Sequence, residues 1–453
     1  MRDSNRKIYI AFVILASFLS VYYVDLWRNG NTVSRLLPVK AYAESGTWCI
    51  DNYHEETIDK ALINGHYYSE KAPLPAWIVT PVYVLLYKTG LHTCMEKDNL
   101  LYLTGDILIA VIPFILIILL IYHQLIRKKW NIYHAMFISL ALPFSTFIWI
   151  YAGTAFSHVL AGLWLVLSYI YIREKRNFLL AGLFAGFCFI TEYPCGLLFI
   201  IWAFVILYQE KKIKAPFLFG VGALPSLLAQ LIYNYQFTGN AFDMLYNHQA
   251  IDFYHDPNTF IGFVLPIPEA MWKLLFGFYR GWLFHAPVLI LFFAMLMKQT
   301  VKTPAKMIFN FLVPALFLSY LLFSSYRVWY GGWCFGPRHF VPLTALLLYH
   351  FAPYCQFKGL RHYIFISLIG AGIIYCWMAK STLLYSINAD FKNPLTDLLI
   401  PAFQNKSFNE NNIFSLLFGV SPMAASLVWI ILLLTTLSLL YRKYLHTSLQ
   451  KVT

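Results

Sequence analysis

Charge is what this sequence has least of. Only 12% of its 453 residues are Asp, Glu, Lys or Arg, against 59% that are hydrophobic. A soluble chain of this length could not cover its surface with so little charge. Alternating segments of about ten residues are absent, which excludes a transmembrane β-barrel. No CxxC joins the seven cysteines (49, 94, 188, 195, 334, 355, 376), so neither a zinc site nor a redox motif is indicated, and no metal is expected. There is no DxD, no P-loop and no GxSxG, and no inverted repeat or low-complexity tract. Acidic residues fall short of basic ones, 21 against 34, leaving a net charge of +13. No basic arm with interleaved aromatics accompanies that excess, so it is not a nucleic-acid footprint. Basic loops that orient membrane helices account for it.

What the chain does have is long apolar runs, with a mean hydropathy of +0.60. They predict an all-α polytopic membrane protein with about twelve transmembrane helices. The expected spans are 8–26, 100–122, 132–151, 156–172, 178–190, 195–208, 217–235, 283–297, 308–323, 341–353, 363–379 and 413–441. The first is read as a retained helix, because no small-x-small cleavage site precedes the polar stretch. Basic clusters such as Arg127-Lys128-Lys129, Arg173 to Arg176 and Lys211-Lys212 fall on one side, which places both termini in the cytoplasm of a cell (inner or plasma) membrane. The chain reads as one domain, 1–453, with outer segments at 27–75, 236–272 and 381–412. The first of these is expected to hold interfacial helices, such as 38–45. The run 76–87 is read as a re-entrant or in-plane helix, or as half of a broken one.

Only the outer segments have polar residues enough for chemistry. The densest is Gly65-His66-Tyr67-Tyr68-Ser69-Glu70-Lys71-Ala72-Pro73, within a segment that also holds Arg35, Asp51 and Asp59. A general base must be a carboxylate or an imidazole near the attacked hydroxyl, and Lys or Arg holds a phosphate. The bland reading is solvated loop charge. Glu192, in Thr191-Glu192-Tyr193-Pro194, sits between two short apolar helices. A carboxylate at mid-bilayer costs about 2.5–3.5 kcal/mol, so it needs a partner or a cavity there, or else lies in a surface turn. In Tyr330-Gly331-Gly332-Trp333-Cys334-Phe335-Gly336-Pro337-Arg338-His339, the glycines permit close backbone approach and Arg338 suits a lipid phosphate; an aromatic belt with a snorkelling Arg is the alternative. His158 follows an outer turn, and Arg280 enters the bilayer beside aromatics. Lys71, Glu192 and Arg338 each stand at an outer helix end beside Pro or Gly, and are expected to converge on one outward cavity.

Together these motifs resemble bacterial multi-spanning glycosyltransferases of the GT-C superfamily, relatives of the family 39 protein mannosyltransferases and the lipid A aminoarabinose transferases. The matching pieces are Ser45 through Asp51, Asp59-Lys60-Ala61, Gly65 through Pro73, Glu192-Tyr193-Pro194, Arg280-Gly281 with Phe284, and Gly331 through Arg338. The resemblance implies a polyprenyl-phosphate sugar as donor and inverting transfer at the outer face. No cofactor is implied. Lys71 matches the lysine that contacts the lipid phosphate in the aminoarabinose transferases, with Arg35 close to their phosphate-binding arginine. Their catalytic aspartate falls here on Asn31, which cannot act as a base.

The expectation is therefore glycosyl transfer from a polyprenyl-phosphate sugar to an envelope acceptor: a lipid, a polysaccharide or a protein. Asp59 is the first candidate base, followed by Asp51 and Glu70. Lys71, Arg35 and Arg338 are expected to hold the phosphate. His66, Tyr68, Glu192, Tyr193, His158, Trp333 and Arg280 are expected to line the rest of the site. Two readings from other classes stand beside it: a flippase or transporter of lipid-linked sugar, whose sign would be paired broken helices with mid-membrane charges, and a non-catalytic membrane partner in envelope assembly.

Overall fold

The computed structural model describes residues 2–26, 28–95, 98–250, 262–383, 387 and 391–449. Parts of the three expected outer segments, namely residue 27, 251–261, 384–386 and 388–390, lie outside the described residues.

Apolar sequence becomes helix here because a helix satisfies its own backbone without water. The result is a polytopic all-α membrane protein. Five described helices are long and apolar enough to span, Asn99–Arg127, Tyr193–Glu210, Lys214–Thr238, Leu360–Thr382 and Pro422–Thr447, and shorter apolar helices include Ile132–Phe144, His158–Arg173, Phe178–Phe189 and Val313–Ser324. Every expected span contains a helix, but three are interrupted. The span 132–151 ends its α-helix at Phe144, after Pro143, and resumes as a 3₁₀ turn at Trp149–Tyr151. The span 283–297 divides into Trp282–His285 and Leu289–Lys302 around Ala286-Pro287. The span 413–441 divides at Gly419, whose φ of +63° ends one helix before Pro422 opens the next.

Small residues set the closest helix contact. A Cβ on Gly182 would lie 1.8 Å from Phe219 O, and one on Gly222 would lie 1.9 Å from Leu179 O. The Phe178–Phe189 and Lys214–Thr238 helices thus meet backbone to backbone, as small residues allow in lipid.

The segment after the first helix folds more fully than the sequence reading expected. Its helix is Gly30–Ser45, eight residues earlier in start than the expected 38–45. Asn29 caps it, accepting from the Asn31 and Thr32 N–H groups, and Gly46 closes it in the left-handed region at φ +70°. Pro38 lies inside, so proline marks no boundary here. A two-stranded hairpin follows, Lys60–Ile63 with His66–Ser69, where no strand was expected. Its turn is Asn64-Gly65, both at positive φ (51° and 84°), the pair that a two-residue hairpin turn demands. The run 76–87 becomes the helix Leu74–Lys88. Val33, Leu36 and Leu37 of Gly30–Ser45 pack with Val79 and Tyr83 of Leu74–Lys88 in one apolar core.

A buried polar knot ties the end of the first helix to the bundle. Asp25 N donates to Asp106 Oδ2 at 3.2 Å and Thr154 Oγ1 to Asp25 Oδ2 at 2.8 Å. Lys380 Nζ donates to the carbonyls of Ile150 and Ala152 at 2.7 and 3.0 Å.

Replacing Gly182 by Leu should separate the two glycine-packed helices. Overpacking of this kind costs about 1–3 kcal/mol or more, so the melting temperature in detergent, followed by fluorescence-detected size exclusion, should fall by several degrees. Gly220→Leu is the control, since its Cβ would meet nothing within 4 Å.

Candidate active site

Local backbone links deliver five chain segments to one place. Ser69, at the end of the hairpin, shares a hydrogen bond with Ser34 (Oγ to Oγ 3.0 Å), one residue before Arg35. Leu74 N donates to Ile190 O at 3.1 Å, bringing the Lys71–Pro73 turn against the helix end that presents Glu192. Thr57 Oγ1 donates to Gly30 O at 2.8 Å and accepts from Asp59 N at 3.0 Å. That link places Asp59 beside the first turn of the Gly30–Ser45 helix, where a Cβ on Gly30 would lie 3.9 Å from Asp59 Cγ. At Gly331, φ is +74° and a Cβ would crowd Arg338 Nε and His339 Nε2, each at 3.2 Å. The glycine is needed both for its conformation and for its missing side chain.

The side chains so gathered form a buried cluster of acids and bases. Arg35, with its side chain 4% exposed, donates from Nη2 to Glu192 Oε1 at 2.8 Å and from Nε to Asn31 Oδ1 at 3.1 Å. Glu192 Oε1 also lies 3.0 Å from His158 Nδ1 and accepts a short hydrogen bond from Ser157 Oγ. Lys71 Nζ bridges two carboxylates, Asp59 at 2.9 Å and Glu70 at 2.5 Å. Arg338 lies within electrostatic range of Arg35, Asp59 and Glu192. Three cations and three carboxylates therefore share one low-dielectric site, where an unpaired charge would cost several kcal/mol.

Some polar atoms in this cluster have no partner among the described residues. The guanidinium donors Arg35 Nη1 and Arg338 Nε, and the ring nitrogens His158 Nε2 and His339 Nε2, are all buried without a hydrogen bond there. Buried polar atoms left unpaired carry a desolvation cost of about 1–3 kcal/mol each. Beside Arg35 and Lys71 opens a narrow cleft, walled by Trp48, Trp77 and Tyr233, whose free volume of about 10 Å³ is that of a single water. Its walls are apolar and its floor is cationic.

The two bridged acids differ. Burial alone would raise Asp59, but Lys71 first, and then Arg338 and Arg35, hold it below the ordinary carboxylate value. Burial raises Glu70, Lys71 offsets this only in part, and the charge of Asp59 raises it further. Lys71 is lowered by burial yet ends above the usual lysine value because Asp59 and Glu70 surround it.

Other expected site residues lie elsewhere or are otherwise engaged. Asp51 accepts from Tyr67 N at 2.6 Å and pairs with His66 Nδ1 at 2.7 Å, on the exposed face of the hairpin. With Cys49 these two make a trio whose ligand atoms lie within 4.8 Å of one another. Among the described residues it is a group that could hold a metal ion, but it is exposed where the acid–base cluster is buried. Tyr68 packs at a tilt of 52° against Phe237, centroids 4.7 Å apart, and Tyr193 OH accepts from Gln230 Nε2 at 3.3 Å. Trp333 is exposed. Arg280 is fully buried, donating to the carbonyls of Tyr330 (2.7 Å) and Gly332 (2.9 Å). It thereby clamps the aromatic loop that presents Arg338, while its guanidinium covers the Tyr279 ring at 3.6 Å. The sequence reading gave no role to Ser157 or His339. Ser157 lay within a stretch noted only for His158, and a hydroxyl beside a buried glutamate carries no pattern of its own.

No family model matches the chain, and no curated protein matches it in sequence. In structure the chain is similar to ArnT from Cupriavidus metallidurans, solved bound to undecaprenyl phosphate. The TM-score is 0.54 at 14% identity, over 98% of this chain and 78% of that one. The likeness is one of fold.

The raised Glu70 makes a testable contribution to stability. A group whose folded value exceeds its unfolded one stabilises fully below the unfolded value, here 4.5, and loses that contribution as pH rises through the folded one. Glu70→Gln mimics the protonated acid. Its melting temperature relative to wild type should therefore rise as pH is taken from about 4.5 to 8, measured by thermal unfolding in detergent across that range.

Proposed function

We propose that this protein is a glycosyltransferase that moves a sugar from a polyprenyl phosphate to a hydroxyl of an envelope acceptor at the outer membrane face. The observation that carries this reading is the set of buried cationic donors without partners among the described residues, Arg35 Nη1 and Arg338 Nε, in the cluster that holds Lys71 and beside a narrow, mostly apolar cleft. That combination suits a phosphate on a hydrocarbon chain. The fold of a protein solved with undecaprenyl phosphate bound supports it.

In such a reaction the acceptor oxygen attacks the anomeric carbon while the bond from that carbon to the phosphate oxygen breaks. The bonding pair leaves with the phosphate, so a phosphodiester of one negative charge becomes a monoester of two. Lys71, Arg35 and Arg338 are the groups that would stabilise that growing charge, and electrostatic stabilisation of this sort is usually the largest catalytic contribution. The acceptor proton passes to Asp59. Asn31 cannot take it, and its Oδ1 holds Arg35 instead. Asp59 lies beside the same helix start, so the fold restores a carboxylate near the position where the relatives are expected to have one. Asp59 is held ionised by Lys71 in the free protein; a donor phosphate on Lys71 weakens that pairing and makes the carboxylate a better base.

Asp59→Asn should reduce transfer about 10²–10⁴-fold with undecaprenyl-phosphate binding retained, whereas Lys71→Ala should weaken both. Transfer is read in membranes with lipid-linked sugar, and binding by titration of the purified protein. Full activity of Asp59→Asn would remove it as the base and leave Glu70, which meets the same lysine. The outward placement has its own check. Glu55 is exposed on this segment. Glu55→Cys, with Cys49 and Cys94 replaced by Ser, should react with a membrane-impermeant thiol reagent in intact cells; reaction only after permeabilisation would reverse the topology.

A further inference from the structure

The His158–Arg173 helix begins at the Glu192 cluster and ends at Arg173, a rise of about 22 Å. At that far end, three helix termini border an open cavity of about 410 Å³. Arg127 and Lys128 come from the end of Asn99–Arg127, Arg173 and Lys175 from the end of His158–Arg173, and His350 from the Val341–Phe351 helix. Read as sequence, these cations are topology signals. Topology requires only that such loops be basic; it does not require the charges to line one concavity.

The cavity is anion-selective by construction. Four cations face one carboxylate, Glu174. That carboxylate is already occupied by Arg127 Nη2 at 2.7 Å and by Tyr349 OH at 2.5 Å. The hydroxyl of Tyr169 and Nδ1 of His350 satisfy each other at 2.7 Å. These cations are exposed, so their mutual repulsion is partly screened, but four of them around one paired carboxylate still leave a net positive charge that a bound anion offsets. Arg and Lys together suit a phosphate, the first by its planar fork and the second as a point charge. Gln124 also lines the cavity, and its buried Oε1 has no hydrogen-bond partner. It calls for a donor beside the anion. Basic pockets between membrane helices are the form that recognition of anionic headgroups takes.

We propose that this cavity binds a phosphate group bearing a neighbouring hydroxyl, supplied by a polyol-phosphate lipid headgroup or by a soluble polyol phosphate. The site is separate from the acid–base cluster, and its test does not depend on transferase activity. The full-length protein in neutral detergent is titrated with dioleoyl phosphatidylglycerol, with phosphatidylcholine as the zwitterionic reference, and bound lipid is counted by native mass spectrometry. The double variant Lys128→Gln/Arg173→Gln should weaken phosphatidylglycerol binding at least tenfold, on the order expected for losing two charge-assisted contacts. Lys211→Gln/Lys212→Gln removes the same charge from an exposed loop outside the cavity and should change it less than twofold. If the first double variant fails to fold, Lys175→Gln alone should still weaken binding severalfold. Displacement of the lipid by glycerol phosphate assigns the soluble source, and its failure to displace assigns the lipid. Equal losses in both double variants, or wild-type binding by the cavity variants, would overturn the proposal, because the charge would then act only as a basic membrane surface.

Discussion

The bridge from Lys71 to Asp59 and Glu70 is the constraint on which the site depends. One ammonium holds two carboxylates, 2.9 and 2.5 Å away, at side-chain exposures of 14% or less. Removing it would leave two like charges side by side in a medium that screens them poorly. The second pair, Arg35 with Glu192, closes the balance from the other side and draws in His158 and Ser157. Neither pair is an independent stabiliser. A buried ion pair gains little over an apolar contact, and its presence is better explained by what it prepares. Here it fixes cations whose remaining donors are unmade.

Such fixing requires rigid delivery, and the backbone supplies it without relying on long helices. An Asn-Gly turn sets the register of a hairpin of two four-residue strands, so Ser69, Glu70 and Lys71 leave it in a defined direction. Ser34 and Ile190 then take hold of the two sides of that exit. On the opposite wall, Arg280 gives its guanidinium to backbone carbonyls and holds the glycine turn against which Arg338 folds. An arginine that looks in sequence like a ligand-binding group is thus a positioning residue for another arginine.

How much of this the sequence disclosed follows from the range of each interaction. Membrane helices were legible because apolar composition over some twenty residues decides them locally, and the three interruptions fall at Pro143, Ala286-Pro287 and Gly419, where the local signal was present but outvoted by hydropathy. The hairpin carries a strong short-range mark, Asn64-Gly65, but its four-residue strands are too short for an alternating pattern to announce them in a polar segment. Lys71, Glu192 and Arg338 could be named from motif and context. Their meeting could not be derived from spacing, since it depends on contacts between segments more than a hundred residues apart. Asp25, Asp106 and Lys380 offered the signal of ionisable residues within apolar runs, yet only the fold brings them into one knot.

Asn31 is where sequence likeness and structure part most informatively. The resemblance in motif puts a carboxylate at this position; the sequence has an amide there. The amide retains one structural duty, accepting from Arg35 Nε. The negative charge sits instead on Asp59, reached through Thr57 and Gly30 rather than along the helix. The change of address has a physical consequence. A carboxylate on the helix would be oriented by the helix. A carboxylate on the loop before the hairpin is ion-paired with that lysine directly, so the group that would take the acceptor proton and the group that would hold the leaving phosphate are coupled before any donor arrives. In the proposed reaction the phosphate must compete with Asp59 for Lys71, and winning that competition is what would free the carboxylate to act.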